Sequence, residues 1–219
     1  MKPVSKTACL LTIMLIASPC SLAADSGRIL VGDFGHGRLD DWEEKSFRGN
    51  TTYILRTDST MQVLEARSAA SASGLYRKIR IDLAQTPYLN WSWKIGNTLD
   101  GVNERSKQGD DYPARIYVVV SGGILFWKTQ ALNYVWSSTQ MPGTDWPNAY
   151  TDHARMVAVR GREDEPGSWR TEKRNVREDF KRYFGEDIRY IDAVALMSDT
   201  DNSGQAVTAY YGDIYFTEN

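Results

Sequence analysis

The chain has 219 residues, with 26 basic and 28 acidic side chains and a formal net charge of −2. This length suits one domain with a buried core, and the near balance of charge argues against a protein that holds a nucleic acid by its phosphates. Two cysteines and two histidines are too few for a disulfide framework, a four-thiolate zinc site or a histidine metal cluster.

The first 24 residues have the pattern of a secretory signal peptide. Lys2 and Lys6 precede an apolar run at 8–17, and small residues at 21–24 follow it. The run is shorter than the roughly 20 apolar residues that cross a bilayer, so we do not expect a membrane-embedded protein. We expect cleavage after Ala24, loss of both cysteines, and export of one domain over 25–219 to the periplasm or the cell exterior.

Cys20 suggests a different outcome, because a lipid-modified cysteine would anchor the mature chain to a membrane. Pro19 stands where lipoprotein signals carry glycine or alanine. The sequence therefore argues against an anchor at Cys20.

Short alternating or apolar runs, separated by Gly, Asp, Asn and Pro, predict an all-β, antiparallel, jelly-roll-like sandwich. The clearest strand is Tyr88–Ile95, in which Leu89, Trp91, Trp93 and Ile95 share one face. The other predicted strands are 52–56, 62–68, 74–82, 114–121, 125–136, 155–160, 169–174, 191–198 and 207–216. The segment 191–198 is apolar almost throughout, which predicts a central strand covered on both faces.

One segment predicts a helix, over 176–184. Its apolar residues recur at helical spacing, Asn175 can cap its first turn with Glu178 three residues on, and Gly185 can end it. We expect a short amphipathic helix that covers one end of the sandwich.

Aromatic residues are concentrated in the middle of the chain. For Trp91 and Trp93 the alternation indicates core. Trp146 and Tyr150 instead stand among Pro, Gly, Asp and Asn, which predicts a loop. Rings in a polar loop can stack on the apolar face of a sugar, so Trp146 is a candidate ligand-binding residue.

Gly109-Asp110-Asp111-Tyr112-Pro113-Ala114-Arg115 stands just before a predicted strand. Adjacent carboxylates point apart on extended backbone, so Asp110 and Asp111 do not form the opposed pair of a glycoside hydrolase. They can act with Arg115 in binding a ligand or a cation, or they can cap turn amides and form a surface ion pair with Arg115.

Asp199, Asp201 and Asn202, followed by Gly204, match the first half of a calcium loop. The match ends there, because Tyr210 stands where an EF-hand has its bidentate acid. A plain Asp- and Asn-rich turn explains the pattern equally well. Asp33 and Asp213 are further candidate ligands for a structural Ca²⁺, since the two ends of a sandwich domain commonly lie together.

Lys128, Asn133, Tyr134 and Trp136 form a polar and aromatic run. With a period of two, Lys128, Tyr134 and Trp136 share a face and Asn133 points away. Lys128 either pairs with an acid in a groove or is an exposed edge-strand lysine.

Six motifs together resemble the DUF3047 family, exported bacterial proteins of unknown function. The motifs are Ser73-Gly74-Leu75, Trp91-Ser92-Trp93-Lys94, Gly109 to Arg115, Asn133-Tyr134-Val135-Trp136, Asp179-Phe180 with Phe184-Gly185, and Asp199 to Asn202. The resemblance implies a single exported domain and no particular activity. Asp33-Phe34 and Gly212-Asp213-Ile214 also resemble the ends of galactose-binding and carbohydrate-binding jelly rolls, in which a structural calcium often lies near the termini.

We therefore predict an exported, non-catalytic sandwich that binds a carbohydrate or cell-envelope glycan. The candidate ligand-binding residues are Asp110, Asp111, Arg115, Lys128, Tyr134, Trp136 and Trp146. One alternative is a polysaccharide lyase or hydrolase, with Tyr134 or His153 as the base and Arg115 or Lys128 holding a sugar carboxylate. The other is a structural envelope protein whose aromatic face meets a protein partner.

Overall fold

The computed structural model describes residues 27–124 and 128–219. The predicted signal peptide, with Cys20, lies outside the described residues, as do 125–127 of the predicted strand 125–136. None of the helices in the described ranges has the length and apolarity to span a bilayer.

The described strands form two sheets. The first has six strands, β1 (Arg28–Gly32), β3 (Thr52–Asp58), β4 (Met61–Ala69), β6 (Tyr88–Ile95), β11 (Arg170–Asn175) and β13 (Ala206–Thr217). The second has seven, β2 (Glu43–Arg48), β5 (Ala72–Asp82), β7 (Tyr112–Val120), β8 (Gln130–Trp136), β9 (Asp145–Pro147), β10 (Ala154–Arg160) and β12 (Tyr190–Asp199).

The first sheet has the order β11-β6-β13-β4-β3, and β1 pairs with the far end of β13. The second has the order β2-β5-β12-β7-β8-β10-β9. Every pair is antiparallel except β8 with β10. The β-sandwich prediction is therefore confirmed, and β12 is a central strand between β5 and β7 as its apolar sequence predicted.

The main core lies between the two sheets. Trp91 and Trp93 point into it from β6 and are 1% and 0% exposed, which confirms the prediction for both. Trp91 stacks on Tyr134 of β8 at 5.5 Å between ring centroids, and Trp93 packs on Trp136 at 5.8 Å. The inward face of β8 is thus filled by large aromatic rings that join the two sheets.

The predicted helix is confirmed as α1 (Val176–Phe184), directly after β11. The side chain of Asn175 accepts a hydrogen bond from the backbone N–H of Glu178 at 3.1 Å, and Gly185 ends the helix with a φ of 75°. Such a left-handed backbone favours glycine. Phe180, fully buried, packs α1 onto the core.

Three observed strands, β1, β2 and β9, are absent from the strands predicted from the sequence, and a fourth, β8, begins later than expected. β2 has the charged sequence EEKSFR with every residue exposed, and β9 is only three residues long. β8 begins at Gln130, so Lys128 lies before the strand, exposed to solvent. The expectation that Lys128 shares a strand face with Tyr134 and Trp136 is therefore wrong.

Candidate ligand-binding groove

A cavity of about 440 Å³ lies on the outer face of the second sheet, the face that points away from the first sheet. On β7, Ala114 and Ile116 point into the core, whereas Arg115 and Tyr117 point into this cavity. Asn133 reaches it from β8, and Met197 and Asp199 reach it from β12. The alternation that fills the core thus places polar side chains on the opposite face.

A second cavity of about 240 Å³ shares Phe47, Tyr117 and Met197 with the first. We call the two together the groove. It runs across the strands from Ala154 of β10 to Phe47 of β2, five strand spacings of about 4.8 Å, or about 24 Å. A ligand that fills it is longer than a single small ring.

The groove has two chemically different ends. The polar end is formed by Asp110, Arg115, Asn133, Asn148 and Asp201. The apolar end is formed by Phe47, Gly74, Tyr76, Val119 and Ala195. Phe47 is 69% exposed. Gly74 and Ala195 leave space above the sheet at this end of the groove, because they have little or no side chain. The groove is therefore suited to a ligand with both polar edges and apolar surface.

Arg115 is the centre of the polar end, with a side chain only 5% exposed. Its Nε donates to Asp199 Oδ1 at 2.9 Å, and its Nη2 contacts Asp199 Oδ2. Nη2 also donates to the carbonyl of Asp110 at 3.1 Å, and Nη1 lies 3.7 Å from the carboxylate of Asp110. Burial acts against its charge, but the surrounding acidic groups, Tyr117 and Asp110 foremost, together outweigh burial and raise the pKa of Arg115. Arg115 thus stays charged and positions both aspartates.

The loop that carries Asp110 is fixed by a buried glutamate. Glu104 is 0% exposed. It accepts a hydrogen bond from the backbone N–H of Ser138 at 2.6 Å, and the Ser137 hydroxyl donates to its other oxygen. Burial raises the pKa of Glu104, although the hydrogen bonds from Ser137 and Ser138 oppose that shift. Gly109 completes the packing, because a Cβ at this position would lie 2.5 Å from the carbonyl oxygen of Asn103.

Asp111, Asp199 and Asp201 place carboxylate oxygens within 4.8 Å of one another. All four oxygens of Asp111 and Asp199 already accept N–H groups. Asp111 accepts from Asn202 N and Nδ2, each at 3.2 Å, and from Ser203 N at 2.6 Å. Asp199 accepts from Arg115 and, at 3.3 Å, from the backbone N–H of Tyr112. The cluster therefore joins the turn after β12 to the start of β7, and the chain's own donors occupy the oxygens that a cation would need.

Asp201 differs from the other two carboxylates. It lines the groove, and burial together with the charge of Asp111 raises its pKa. Arg48 comes within 4.0 Å of it, but the Arg48 side chain is 68% exposed, where water weakens such a pair. Among the described residues, Asp201 therefore has only this weak, solvent-exposed ion pair.

Asp33 and Asp213 do not join this cluster. Asp213 accepts from the backbone N–H of Gly35 at 2.7 Å, and Asp33 pairs with His36 at 2.5 Å and Arg38 at 3.4 Å. Both lie beside the turn that follows β1. The expectation that they converge with Asp199 and Asp201 on one calcium ion is wrong, because β13 carries Asp213 along its length away from the turn after β12.

Asn133 is one of the groove residues that the sequence did not select as a ligand-binding candidate. It is 2% exposed, and its Oδ1 is buried without a hydrogen-bond partner in the described part of the chain. Buried amides almost always find partners, and Asn133 lines the cavity, so the missing donor is a ligand group or a water molecule. The signal in the sequence is a single polar residue within the apolar run Ala131 to Trp136, on the face opposite to Tyr134.

Three aromatic candidates are buried instead of lining the groove. Tyr134 and Trp136 are 0% exposed and lie in the main core. Trp146 is 2% exposed, lies in β9 and stacks on Tyr112 at 6.5 Å, within a small second cluster on the outer face. The expectation that these rings stack on a ligand is wrong. Tyr150 remains available, at 57% exposed.

The lyase assignment of Tyr134 is also wrong in its geometry. The Tyr134 hydroxyl donates to Asp179 of α1 at 2.7 Å, and Arg174 holds the same carboxylate at 2.6 and 2.9 Å. Burial and the charge of Asp179 raise the pKa of Tyr134 well above its ordinary value. The hydroxyl is thus protonated, and it lies in the core rather than in the groove. His153 is exposed beside Asp152, 3.8 Å away.

Several solved structures have a similar fold. Cip1, a cellulose-induced protein, aligns with 86% of this chain and 97% of its own at 9% identity and a TM-score of 0.49. The carbohydrate recognition domain of Emp47p aligns with 93% of this chain and 100% of its own at 11% identity and 0.47. A structure described for carbohydrate-binding modules of the β-sandwich superfamily aligns with 88% of this chain at 10% identity and 0.43, and the chain spans 63% of its length. At TM-scores below 0.5, these likenesses add no argument to the strand pairing itself.

Curated protein sequences contain no significant match to the chain. The model of the DUF3047 family, described as a protein of unknown function, matches residues 40–215. This range includes every described strand from β2 to β12 and most of β13. The chain therefore belongs to the DUF3047 family.

Proposed function

We propose that the groove binds a carbohydrate chain that lies across the strands of the second sheet. The observation that carries the proposal is the orphaned, buried Oδ1 of Asn133 at the floor of a groove that also holds aromatic side chains. A sugar ring presents an apolar C–H face to an aromatic ring and hydroxyl groups at its edge. The hydroxyls can donate to Asn133 and the other oxygens of the polar end.

The exposed rings support the same proposal. Phe47 at the apolar end is 69% exposed and Tyr150 at the polar end is 57% exposed. The Tyr150 hydroxyl donates to the backbone carbonyl of Lys107 at 3.1 Å, which holds the ring in place. Rigid, partly exposed rings give contact area at low entropic cost. The structures of similar fold that are named for carbohydrate binding agree with the proposal, but the proposal does not rest on them.

The test is a glycan array with the purified chain, followed by titration calorimetry on whatever glycan binds. Asn133→Leu removes the orphaned acceptor and keeps the number of heavy atoms and the branching of the side chain at Cγ. We expect it to weaken binding by about tenfold or more, which corresponds to about 1.4 kcal/mol. We also expect its free energy of unfolding to be equal or higher, because a buried unsatisfied polar group is lost.

Two matched controls separate the groove from the rest of the surface. Phe47→Ala removes an exposed apolar side chain from the groove, and Ile54→Ala removes one of 48% exposure from β3 of the first sheet. Lys128→Ala removes the exposed lysine that does not line the groove. We expect only Phe47→Ala to weaken binding. A folded protein that binds no glycan, or equal losses in all three variants, would overturn the proposal.

We also propose that the chain is exported after removal of residues 1–24. The support is the sequence pattern alone, with Lys2 and Lys6 before the apolar run at 8–17. Expression of the full chain in a bacterium, followed by intact-mass measurement of the periplasmic and medium fractions, tests it. We expect a mature chain that begins at Asp25. A full-length chain retained in the cytoplasm, or a lipid adduct on Cys20, would contradict this expectation.

A further inference from the structure

Resting on the proposed carbohydrate binding, we propose that the polar end of the groove is a subsite for a protonated amino sugar, so that the preferred glycan is cationic. Two independent features carry this inference. One is the charge of the side chains that line the polar end, and the other is the kind of hydrogen-bonding group left without a partner there.

The polar end has an excess of negative charge. Asp110, Asp199 and Asp201 line the cavity, and among its described lining residues Arg115 is the only base. Arg115 is committed to Asp199 through the bidentate pair. The Asp110 carboxylate lies 3.7 Å from Arg115 and otherwise accepts only long hydrogen bonds of 3.3 and 3.4 Å from Asn148. Asp110 and Asp201 therefore remain for a ligand.

The nearby bases outside the cavity do not cancel this excess. Arg48 is 68% exposed and 4.0 Å from Asp201, where an ion pair contributes little. Lys107 lies over the ring of Tyr150 at 5.3 Å. Lys45 is exposed and lines only the apolar end of the groove. A carboxylate-bearing sugar would thus enter a partly buried site of its own charge sign.

The unpaired oxygen of Asn133 also favours a protonated amine as the ligand group. Asn133 Oδ1 is an acceptor, so its missing partner is a donor. An ammonium group offers three donors and no acceptor, and a sugar carboxylate offers no donor. A protonated amine can therefore satisfy Asn133 and a neighbouring aspartate together. A hydroxyl satisfies Asn133 but leaves the charge uncompensated.

The shape of the groove favours a sugar chain over a basic peptide. The groove lies on the face of the sheet, where side chains alone are presented, and the backbone groups of β7, β8 and β12 are already paired with neighbouring strands. An extended peptide laid there would lose water from its own N–H and C=O groups without finding strand partners. A sugar chain keeps its hydroxyl edge in water and lays its C–H face on Phe47 and Tyr76.

The experiment compares three hexasaccharides by titration calorimetry at a pH where the amine is protonated. They are a glucosamine hexamer, its fully N-acetylated form and an oligogalacturonate. We expect the glucosamine hexamer to bind about tenfold or more tightly than the acetylated hexamer and the galacturonate to be undetectable. We also expect added salt to reduce the affinity for the glucosamine hexamer, because screening weakens charge attraction.

Asp201→Asn and Asp110→Asn remove one charge each with little change of shape. We expect each to reduce the affinity for the glucosamine hexamer severalfold more than the affinity for the acetylated hexamer. Asp213→Asn is the matched control, an aspartate on the first sheet that also has an arginine, Arg28, 3.8 Å away. It should leave the preference unchanged.

The outcomes separate the two proposals. Equal or tighter binding of the acetylated hexamer or the galacturonate would overturn this inference and leave carbohydrate binding intact. No binding of any glycan, here and on the array, would overturn the proposed function itself. Binding of hexalysine, lost in Asp201→Asn and unaccompanied by glycan binding, would replace the amino sugar with a basic peptide and overturn the inference.

Discussion

Arg115 of β7 and Asp199 of β12 form a bidentate ion pair on the outer face of the second sheet, with side chains 5% and 2% exposed. The pair joins the floor of the groove to the turn that carries Asp201. It also holds the backbone carbonyl of Asp110 through the same guanidinium. The two strands are neighbours in the sheet, so pairing of β7 with β12 is what creates the polar end.

Breaking this pair on one side should be costly. In Arg115→Met, Asp199 stays buried without its partner, and we expect the free energy of unfolding to fall by about 3–5 kcal/mol. The double variant Arg115→Met, Asp199→Leu should recover part of the loss, because the Asp199 carboxylate is no longer buried without its partner. Urea denaturation measures both.

The control for that experiment is Arg177→Met. Arg177 pairs with Asp187 at 2.5 Å, but the two side chains are 35% and 57% exposed. Its loss should change the unfolding midpoint little, since exposed pairs contribute little. Equal effects of Arg115→Met and Arg177→Met would contradict the structural role of the buried pair.

Tyr134→Phe should act on stability and not on ligand binding. The variant removes the hydroxyl that donates to Asp179 at 2.7 Å, whereas the ring still stacks on Trp91. Arg174 continues to hold Asp179, so we expect a loss of about 1–2 kcal/mol in the free energy of unfolding. Glycan affinity should match that of the wild type. A variant with unchanged stability and abolished binding would show that Tyr134 takes part in ligand binding.

Glu104 should make stability depend on pH. Its folded pKa is raised by burial above the ordinary value of about 4.3. Its stabilising contribution is thus fully present below that ordinary value and is lost as the pH rises through the folded pKa. Glu104→Gln stays neutral, so its stability relative to the wild type should increase between pH 4 and pH 7.

The measurement for Glu104 is a series of urea denaturations across that pH range. Glu163, which is exposed in the loop after β10, gives the matched control Glu163→Gln. Its stability should follow that of the wild type at every pH. If the curves of Glu104→Gln and the wild type ran parallel as well, the raised pKa would have no thermodynamic effect.

Calcium should not stabilise the fold. The oxygens of Asp111 and Asp199 already accept N–H groups, so we expect the same melting temperature with excess Ca²⁺ and with a chelator. Asp111→Ala should instead cost about 1–3 kcal/mol, because the backbone N–H groups of Asn202 and Ser203 lose their acceptor. A melting temperature that rises with Ca²⁺ concentration would show a site that binds the ion in the folded state.

The local sequence was sufficient to predict those strands and the helix whose own residues have a clear hydrophobic or capping pattern. The strict alternation in Tyr88–Ile95, the capping residues of α1 and the apolar run in β12 each predicted the observed element. β2 escaped prediction because its charged, exposed sequence has no apolar face, and it is a strand only through its pairing with β5. β9, at three residues, depends in the same way on β10.

The groove could not be located from sequence, for a reason visible in β8. Alternation correctly separates Asn133 from Tyr134 and Trp136, but it does not say which face points into the core. Aromatic rings fit a sugar site and a hydrophobic core equally well, and here they are core. The outer face of β8 is largely covered too, so burial on both sides hides the difference.

By itself, the sequence determined the fold class, one helix and the polar residues Asp110, Arg115 and Asp201 as candidates, because period and turn chemistry are local properties of the chain. The tertiary structure alone decided which of them meet. Arg115 of β7 and Asp199 of β12 are 84 residues apart in the chain. Only the pairing of these two strands brings the side chains together as an ion pair. The same packing sends Tyr134, Trp136 and Trp146 into hydrophobic clusters. It also places Asn133 in the lining of the groove with a buried, unsatisfied oxygen, because burial is decided by what covers each face.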